Sequence, residues 1–278
     1  MDLSFQAELA ETYSSASQKI RVLSESWFAK QVYCPNCGCE KLRQYQSNRP
    51  VADFSCPGCD EDYELKSKKG AMSRKVVDGA YSPMMERLIG MKNPNLSLLS
   101  YDPRSLTVIS FLIVPKHFFI PEVIERRKPL SPTARRAGWV GCNILLDAIP
   151  EAGRIFLIRN RGVLPRADVL AKWHQTLFLR EENNVGTKSW LMNVLRFVER
   201  VRKPVFHISD LYGYEDELRA MYPNNSHIKE KVRQQLQVLR DKGVIEFIGG
   251  GQYRMAQRTL PFLPLVFISA TGAGWGAW

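Results

Sequence analysis

Four cysteines in the N-terminal part of the sequence are spaced as two matching pairs. They are Cys34, Cys37, Cys56 and Cys59. A C-x₂-C turn can direct two thiolates at one ion, and two such turns about 15–20 residues apart are typical of zinc sites. Four thiolates complete a tetrahedron and leave no coordination position open, so the spacing predicts a structural Zn²⁺ site. A redox pair or two buried apolar cysteine pairs are the alternatives. Cys39 fits the zinc spacing less well, and Cys142 is predicted to be an ordinary buried thiol.

An acidic residue and an E-x-K triplet surround the second cysteine pair. Asp53 precedes the pair, and Glu64-Leu65-Lys66 follows it. Because alternate residues of a strand face the same side, Glu64 and Lys66 should project together, and Asp53 joins them if 51–55 and 63–67 are adjacent strands. Two carboxylates can hold Mg²⁺, which prefers oxygen ligands. Such an ion polarises a phosphate oxygen and activates water, while a lysine orients the nucleophile or offsets developing charge.

This triplet is similar to the active-site pattern of the PD-(D/E)xK nucleases. The resemblance implies that all three residues are catalytic and that the two carboxylates bind Mg²⁺. The sequence departs from the pattern because Val51 and Ala52 separate Pro50 from Asp53. From the triplet alone, a solvated strand face is the better interpretation, and the basic run 66–69 is typical of one.

Strand and helix patterns alternate over residues 1–183. Segments rich in β-branched and aromatic residues predict strands over 96–101, 106–114 and 154–159. Strands that are flanked by apolar helical stripes indicate an α/β fold in which helices cover a sheet.

The C-terminal part has a different pattern, which follows a polar linker predicted over 181–187. We predict three helices, around 190–198, over 210–221 and over 228–242. Ser209 is the predicted cap of the second helix, and Asn225 or Ser226 that of the third. A hairpin of strands 244–248 and 252–255 follows them. Three helices and a glycine-turned hairpin are typical of a winged helix-turn-helix domain. We therefore predict a small winged-helix DNA-binding domain over 184–256 and a tail of unknown role over 257–278.

The third helix of this domain has an apolar face and a basic face. Helical spacing predicts that Ile228, Val232, Leu236 and Leu239 face the core. The remaining surface offers residues suited to phosphates and base edges, namely Lys229, Lys231, Arg233, Gln234, Gln235 and Arg240. A solvated amphipathic helix is the alternative, but the adjoining wing favours DNA binding.

The composition restricts the class of protein and its partners. A hydrophobic fraction of 45% excludes a disordered chain, and a net charge of +11 suggests a polyanionic partner, either nucleic acid or an acidic membrane. The N-terminus lacks a basic start with a long apolar run, and the apolar run 260–268 is too short to span a bilayer. We expect a soluble, cytoplasmic protein that has no membrane partner and no small-molecule substrate.

Longer stretches of the chain resemble the Dpn I-type, methyl-directed restriction endonucleases. The segments that carry the resemblance are YCPNCG (33–38), NRPVADF (48–54), YELKSKKG (63–70), DGAY (78–81), PTARRAGW (132–139) and HIKEK (227–231). The resemblance covers about residues 1–255. It implies a mixed-sheet, restriction-endonuclease-like nuclease core with a zinc knuckle over 1–183, an active triplet of Asp53, Glu64 and Lys66, and a C-terminal winged helix.

The same resemblance implies an activity. Members of this family are type II enzymes that use Mg²⁺ to cleave double-stranded DNA at GATC when its adenine is N6-methylated. The implied biological role is restriction of incoming methylated DNA, such as phage genomes, in a host that lacks this methylation.

Recognition of methylated adenine needs a site for an apolar methyl group in the major groove, which an aromatic ring can supply. Trp139 is our candidate, with Arg135 and Arg136 on the DNA backbone or on guanine. From the residues alone, core packing of Trp139 is the better interpretation, and the resemblance favours the reading role. We hypothesise that each domain reads the same short palindrome.

Two other functions fit the residues. A zinc-stabilised winged-helix regulator without nuclease activity would bind DNA without cutting it. A repair or recombination nuclease with the same metal chemistry would cut at a structure or a lesion, independent of methylation.

Overall fold

The computed structural model describes residues 1–46 and 52–256. Within these residues the strands are β1 (Arg43–Gln44), β2 (Phe54–Ser55), β3 (Asp62–Lys69), β4 (Lys75–Ala80), β5 (Asn95–Asp102), β6 (Thr107–Val114), β7 (Ile124–Arg126), β8 (Gly141–Leu145), β9 (Ile155–Arg159), β10 (Gly162–Val163), β11 (Val205–His207), β12 (Ile245–Gly249) and β13 (Gln252–Met255). The α-helices are α1 (Ala16–Gln31), α2 (Tyr81–Ile89), α3 (Arg166–His174), α4 (Val185–Val201), α5 (Ile208–Tyr212), α6 (Glu215–Met221) and α7 (Ile228–Asp241).

A seven-stranded mixed sheet lies at the centre of the N-terminal part. In the described residues its strand order is β1-β2-β3-β5-β6-β9-β10. β3 and β5 are parallel, and the other neighbours are antiparallel. The predicted α/β class with a mixed sheet is confirmed. The three strands predicted from composition correspond to β5, β6 and β9, with ends that differ by one residue.

Helix α1 covers one face of this sheet with aromatic side chains. Trp27 and Phe28 are 4% and 0% exposed. The Phe28 ring centroid lies 4.2 Å from that of Phe54 on β2, and the Trp27 centroid lies 5.4 Å from that of Phe111 on β6. Because rings at these separations contribute beyond their buried area, α1 holds the short strand β2 firmly against its neighbours.

Helix α4 lies on the other face and is buried on nearly all sides. Its buried residues include the polar side chains of Lys188, Ser189 and Asn193 beside its apolar stripe. It belongs to one hydrophobic cluster that includes Leu98 and Leu112 of the sheet and Val232 and Leu236 of α7. The N- and C-terminal parts therefore share a core. The domain bounds 1–183 and 184–256 stay a prediction.

A small antiparallel sheet, β4-β8-β7, stands beside the large one. On it, Asp78 of β4 is paired with Cys142 of β8. The β7–β8 connection continues the ladder outward, because Arg127 N donates to Gly141 O at 2.9 Å and Leu130 N donates to Trp139 O at 2.9 Å. The loop that contains Trp139 is therefore an extension of the sheet that carries Asp78.

The C-terminal part is a helix-turn-helix domain with a wing, as predicted. It combines α4–α7 with the sheet β11-β13-β12. The wing turns at Gly249, Gly250 and Gly251, whose φ angles of +97°, +57° and +76° favour glycine.

Several boundaries in this part were predicted wrongly. The helix expected over 210–221 is two helices, α5 and α6, because Gly213 interrupts it, and the residue that caps α5 is His207 and not Ser209. The linker expected over 181–187 ends earlier, since α4 begins at Val185. The N-cap of α7 is His227, which makes no side-chain capping bond. None of the helices in the described ranges is long and apolar enough to cross a membrane.

Candidate active site

The four paired cysteines come together as one cluster. All four Sγ atoms lie within 4.8 Å of one another. Cys34 Sγ is 3.5 Å from Cys59 Sγ, and Cys37 Sγ is 3.4 Å from Cys56 Sγ. A tetrahedral ion with Zn–S bonds of about 2.3 Å requires sulfur separations of about 3.8 Å. The cluster can therefore hold a zinc ion, and the separate thiol Cys39 lies outside it.

The backbone around the cysteines forms two similar turns. Gly38 N donates to Cys34 O at 2.8 Å, and Asp60 N donates to Cys56 O at 2.9 Å. Gly38 and Asp60 both have positive φ, which closes each turn around its thiol pair. Burial raises the pKa of the Cys34 thiol to about 11. A thiolate at this position needs a cation beside it, which fits a metal ligand.

Glu64 and Lys66 project from the same face of β3, as predicted. Lys66 Nζ donates to Glu64 Oε1 at 2.7 Å. Asp53 stands just before β2, which pairs with β3. Its Oδ2 accepts the Leu65 N–H at 2.7 Å, so this carboxylate is fixed to the backbone between Glu64 and Lys66. The structure thus brings the three predicted residues to one place.

Strand β4 adds a further carboxylate, Asp78, that the sequence analysis did not select. Its side chain is 5% exposed, and Oδ1 accepts from Lys66 Nζ at 2.7 Å and from Gly79 N at 2.7 Å. Its Oδ2 is buried without a hydrogen-bond partner in the described part of the chain. Lys66 is therefore held between Glu64 and Asp78. Asp78 opens the DGAY segment (78–81), and this segment of the family resemblance was the feature of the sequence that could have identified it.

The charges of this group influence one another. Burial raises the pKa of Glu64, the neighbouring carboxylates of Asp78 and Asp53 raise it further, and Lys66 opposes them. Burial alone would lower the pKa of Lys66, but Glu64 and Asp78 outweigh it and hold that pKa above its usual value. Lys66 is thus a fixed positive charge beside a carboxylate that ionises less readily than usual.

A cleft of about 420 Å³ opens beside Lys66. Its lining includes Lys68 of β3 and Lys75 of β4, so it is suited to an anionic substrate. Apart from the cysteine cluster, no three Asp, Glu, His or Cys side chains of the described residues bring ligand atoms within 4.8 Å of one another. A cation at the Asp53–Glu64 pair would therefore complete its shell with water, as Mg²⁺ commonly does.

The predicted methyl-reading loop extends from the small sheet. Arg135 and Arg136 are exposed, and Trp139 is half-buried. A Cβ on Gly141 would lie 2.7 Å from the Trp139 ring, so the indole rests directly on the backbone of that glycine. Trp139 therefore combines packing with partial exposure, and the structure gives it no deep core position.

Helix α7 presents its predicted apolar face to the core. Ile228, Val232, Leu236 and Leu239 are all 2% exposed or less. Of the predicted DNA-contacting residues, the exposed ones are Lys229, Arg233, Gln234 and Arg240. Lys231 is half-buried and donates to Gln234 Oε1 at 2.8 Å. The prediction that Gln235 lies on this surface is wrong, because it is 1% exposed. Gln235 stands three residues after Val232 and four before Leu239, which places it within the buried stripe.

Two family matches cover most of the chain. The Dam-replacing family, of the DpnI type, matches residues 1–182. The Dam-replacing HTH domain matches residues 186–255. The chain belongs to the Dam-replacing family. Membership in this family implies a methyl-dependent restriction endonuclease, and the helix-turn-helix domain implies DNA binding.

Some predicted features of this Dam-replacing family member lie outside the described residues. They are Pro50 and Val51, which belong to the departure from the PD-(D/E)xK pattern, and the tail 257–278. The roles predicted for individual residues of the site and of the DNA-contacting surfaces stay predictions.

Proposed function

We propose that this protein is a Mg²⁺-dependent type II endonuclease that hydrolyses both strands of DNA at GATC when the adenine is N6-methylated. The observation that carries the proposal is the assembly of Asp53, just before β2, with Glu64 and Lys66 of β3 beside a basic cleft. A chain of the Dam-replacing family with a DNA-binding domain provides the matching context.

Asp53 and Glu64 are suited to hold the catalytic ion. Each carboxylate uses one oxygen in a hydrogen bond, Asp53 Oδ2 and Glu64 Oε1, and its other oxygen has no hydrogen-bond partner among the described residues. Mg²⁺ accepts such hard oxygen ligands and retains several waters. When bound, it polarises a phosphate oxygen and lowers the pKa of a bound water.

Lys66 places a positive charge in the lining of the cleft. Its ammonium is positioned to offset the negative charge that develops on the attacked phosphate. Asp78 also positions this ammonium, through a hydrogen bond of 2.7 Å. Because Asp78 belongs to the small sheet and Lys66 to the large sheet, the reactive group depends on how the two sheets meet.

Two surfaces are proposed to read the DNA. Trp139, with Arg135 and Arg136, would read the methylated base from the catalytic domain, and the exposed basic residues of α7 would read from the winged helix. Burial of one methyl group is worth only about 0.8 kcal/mol. We therefore expect selectivity to need both surfaces, or a penalty when the methyl group is absent. The zinc ion would be structural, since four cysteines leave no open position.

The test is cleavage of plasmid DNA with and without adenine methylation at GATC, in Mg²⁺. We expect the wild-type chain to cut only the methylated plasmid. Glu64→Gln should abolish cutting and preserve binding in a gel-shift assay, because the ion loses a charged ligand. The matched control is Glu86→Gln, at an exposed position of α2, which should cut normally.

Three outcomes would contradict the proposal. Specific binding without cutting would favour a regulator, and cutting independent of methylation would favour a repair nuclease. Wild-type cutting by Glu64→Gln would remove the active-site assignment.

A further inference from the structure

A second pocket lies away from the cleft, where the N-terminus of α4 meets the segment that follows β6. Its volume is about 230 Å³. The polar residues that line it are Asn93, Lys116, His117, Arg180, Asn183 and Lys188. The active-site group and the DNA-contacting surfaces proposed above use none of these residues.

Lys188 is the central observation. It stands in the first turn of α4 and is only 7% exposed. Within the described residues its ammonium makes no ion pair and no hydrogen bond, and Glu182 is a nearby carboxylate that acts on it electrostatically. Burial lowers the pKa of Lys188 more than the charge of Glu182 raises it, so the net shift of this pKa is downward. Lys188 therefore presents to the pocket an ammonium that is unpartnered among the described residues, at the end of a largely buried side chain, and an anion in the pocket would compensate its charge.

The charges around Lys188 leave the pocket positive. Lys116 Nζ and Arg180 Nη2 bind the two oxygens of Glu61 at 3.1 and 3.0 Å. The single negative charge of Glu61 therefore balances only one of these two positive charges. Together with Lys188, three cations face this single buried carboxylate and the half-buried Glu182.

The helix itself adds a backbone donor. Asn184 caps α4 by accepting the N–H of Thr187 at 2.9 Å. The N–H group of Val185, a residue that lines the pocket, makes no hydrogen bond to any described residue. Free N–H groups at the start of a long helix, together with the helix dipole, favour an anion.

His117 indicates which anion fits. The side chain is 4% exposed, and its Nε2 lies 2.8 Å from Thr176 Oγ1. Because Thr176 gives its only hydroxyl proton to Trp173 O, Nε2 must donate, and Nδ1 is left as an acceptor. That Nδ1 has no partner among the described residues. An oxyanion that carries a proton, such as hydrogen phosphate, can satisfy it.

We propose that this pocket binds a small phosphate-type anion between α4 and the N-terminal part of the chain. The volume is below the about 300–1,000 Å³ of pockets for larger organic ligands, which agrees with a small ion. The phosphate group could come from free phosphate or from the DNA backbone, and either could contact Lys188 and the start of α4. Free hydrogen phosphate can also donate to His117 Nδ1, whereas a backbone phosphodiester has no proton to donate.

The test is isothermal titration of inorganic phosphate into the full chain without Mg²⁺, at constant ionic strength. We expect one equivalent to bind. Lys188→Met should weaken binding at least about tenfold, because one charge-assisted contact is lost. Without phosphate this variant should melt no lower than wild type, since it removes an uncompensated buried charge. The matched control is Lys172→Met, at another lysine with a burial-lowered pKa, which should bind phosphate like wild type.

A second variant covers the case in which Lys188→Met fails to fold. Asn183→Asp changes an exposed residue at the pocket and should weaken binding by repulsion. Repeating the titration on the DNA complex separates the two sources. Unchanged binding identifies a free anion, whereas lost binding identifies a backbone phosphate in the pocket. Absence of binding by wild type, or equal binding by wild type, Lys188→Met and Asn183→Asp, would overturn the proposal.

Discussion

Glu61 provides a sharp test of the energetics of this fold. It lies two residues after Cys59, and its side chain is 6% exposed. It accepts from Lys116 at 3.1 Å, from Arg180 at 3.0 Å and from Asn95 Nδ2 at 2.8 Å. The perturbation is Glu61→Gln, which keeps the shape and removes the charge. This single carboxylate connects the second cysteine turn to β5, to the segment after β6 and to the approach to α4.

The magnitude follows from burial. Loss of one partner from a buried ion pair costs about 3–5 kcal/mol. Lys116 and Arg180 are 34% and 37% exposed, so water can replace part of the interaction. The glutamine also keeps one acceptor oxygen. We therefore expect a loss of about 2–3 kcal/mol, which corresponds to about 4–12 °C in melting temperature for a chain of this size.

The assay is thermal and urea unfolding of the zinc-loaded chain. Glu125→Gln is the matched control, because Glu125 also accepts from a cation and an amide, Lys75 at 2.6 Å and Asn143 at 2.7 Å, but is 36% exposed. An exposed pair contributes at most about 1 kcal/mol. If Glu61→Gln destabilises the chain no more than Glu125→Gln does, the argument from burial is refuted.

Three further predictions concern the site and its support. Asp78→Asn should lower the cleavage rate about 10–100-fold with little change in KM, because Lys66 is positioned less well. Burial raises the pKa of Glu64, and the charge of Asp78 raises it further. Cutting should therefore fall as the pH drops through that raised pKa. Asp78→Asn should move this acid limb of the pH–rate profile to lower pH. Cys34→Ser should lose the bound zinc and melt at a lower temperature, measured by metal analysis and calorimetry, and a zinc-free variant of full stability would contradict the structural role. Burial lowers the pKa of His117 from 6.5 to about 3, so the fold binds fewer protons there than the unfolded chain, and stability should decline as the pH falls between these values. His117→Gln should remove that part of the slope in unfolding measurements, and an unchanged slope would count against it.

Local patterns in the sequence predicted which residues of the site come together. The C-x₂-C spacing identified the cluster, because a turn of fixed length fixes the separation of its thiols. Strand alternation placed Glu64 and Lys66 on one face, since the side-chain period of a strand is two. The Asp53 contact required only that β2 and β3 be neighbours in the sheet, which their short connection favours.

Features that depend on packing between elements were not predicted. Asp78 reaches Lys66 only because β4 belongs to a second sheet placed beside the first. The spacing of residues along one strand does not indicate how two sheets are placed. The burial of Gln235 was missed because residue type was given more weight than its place in the helical stripe. Gly213 was the signal for the break between α5 and α6, and the cap assigned to Ser209 was given more weight than this glycine.

The position of α4 has a consequence for how this chain can be divided. The helix shares one hydrophobic cluster with the large sheet and with α7. Truncation before Val185 would expose the apolar surface of the nuclease part against which α4 packs. The released C-terminal fragment would expose the matching apolar surface of α4. We therefore expect the chain to melt in a single cooperative transition and the separate halves to aggregate.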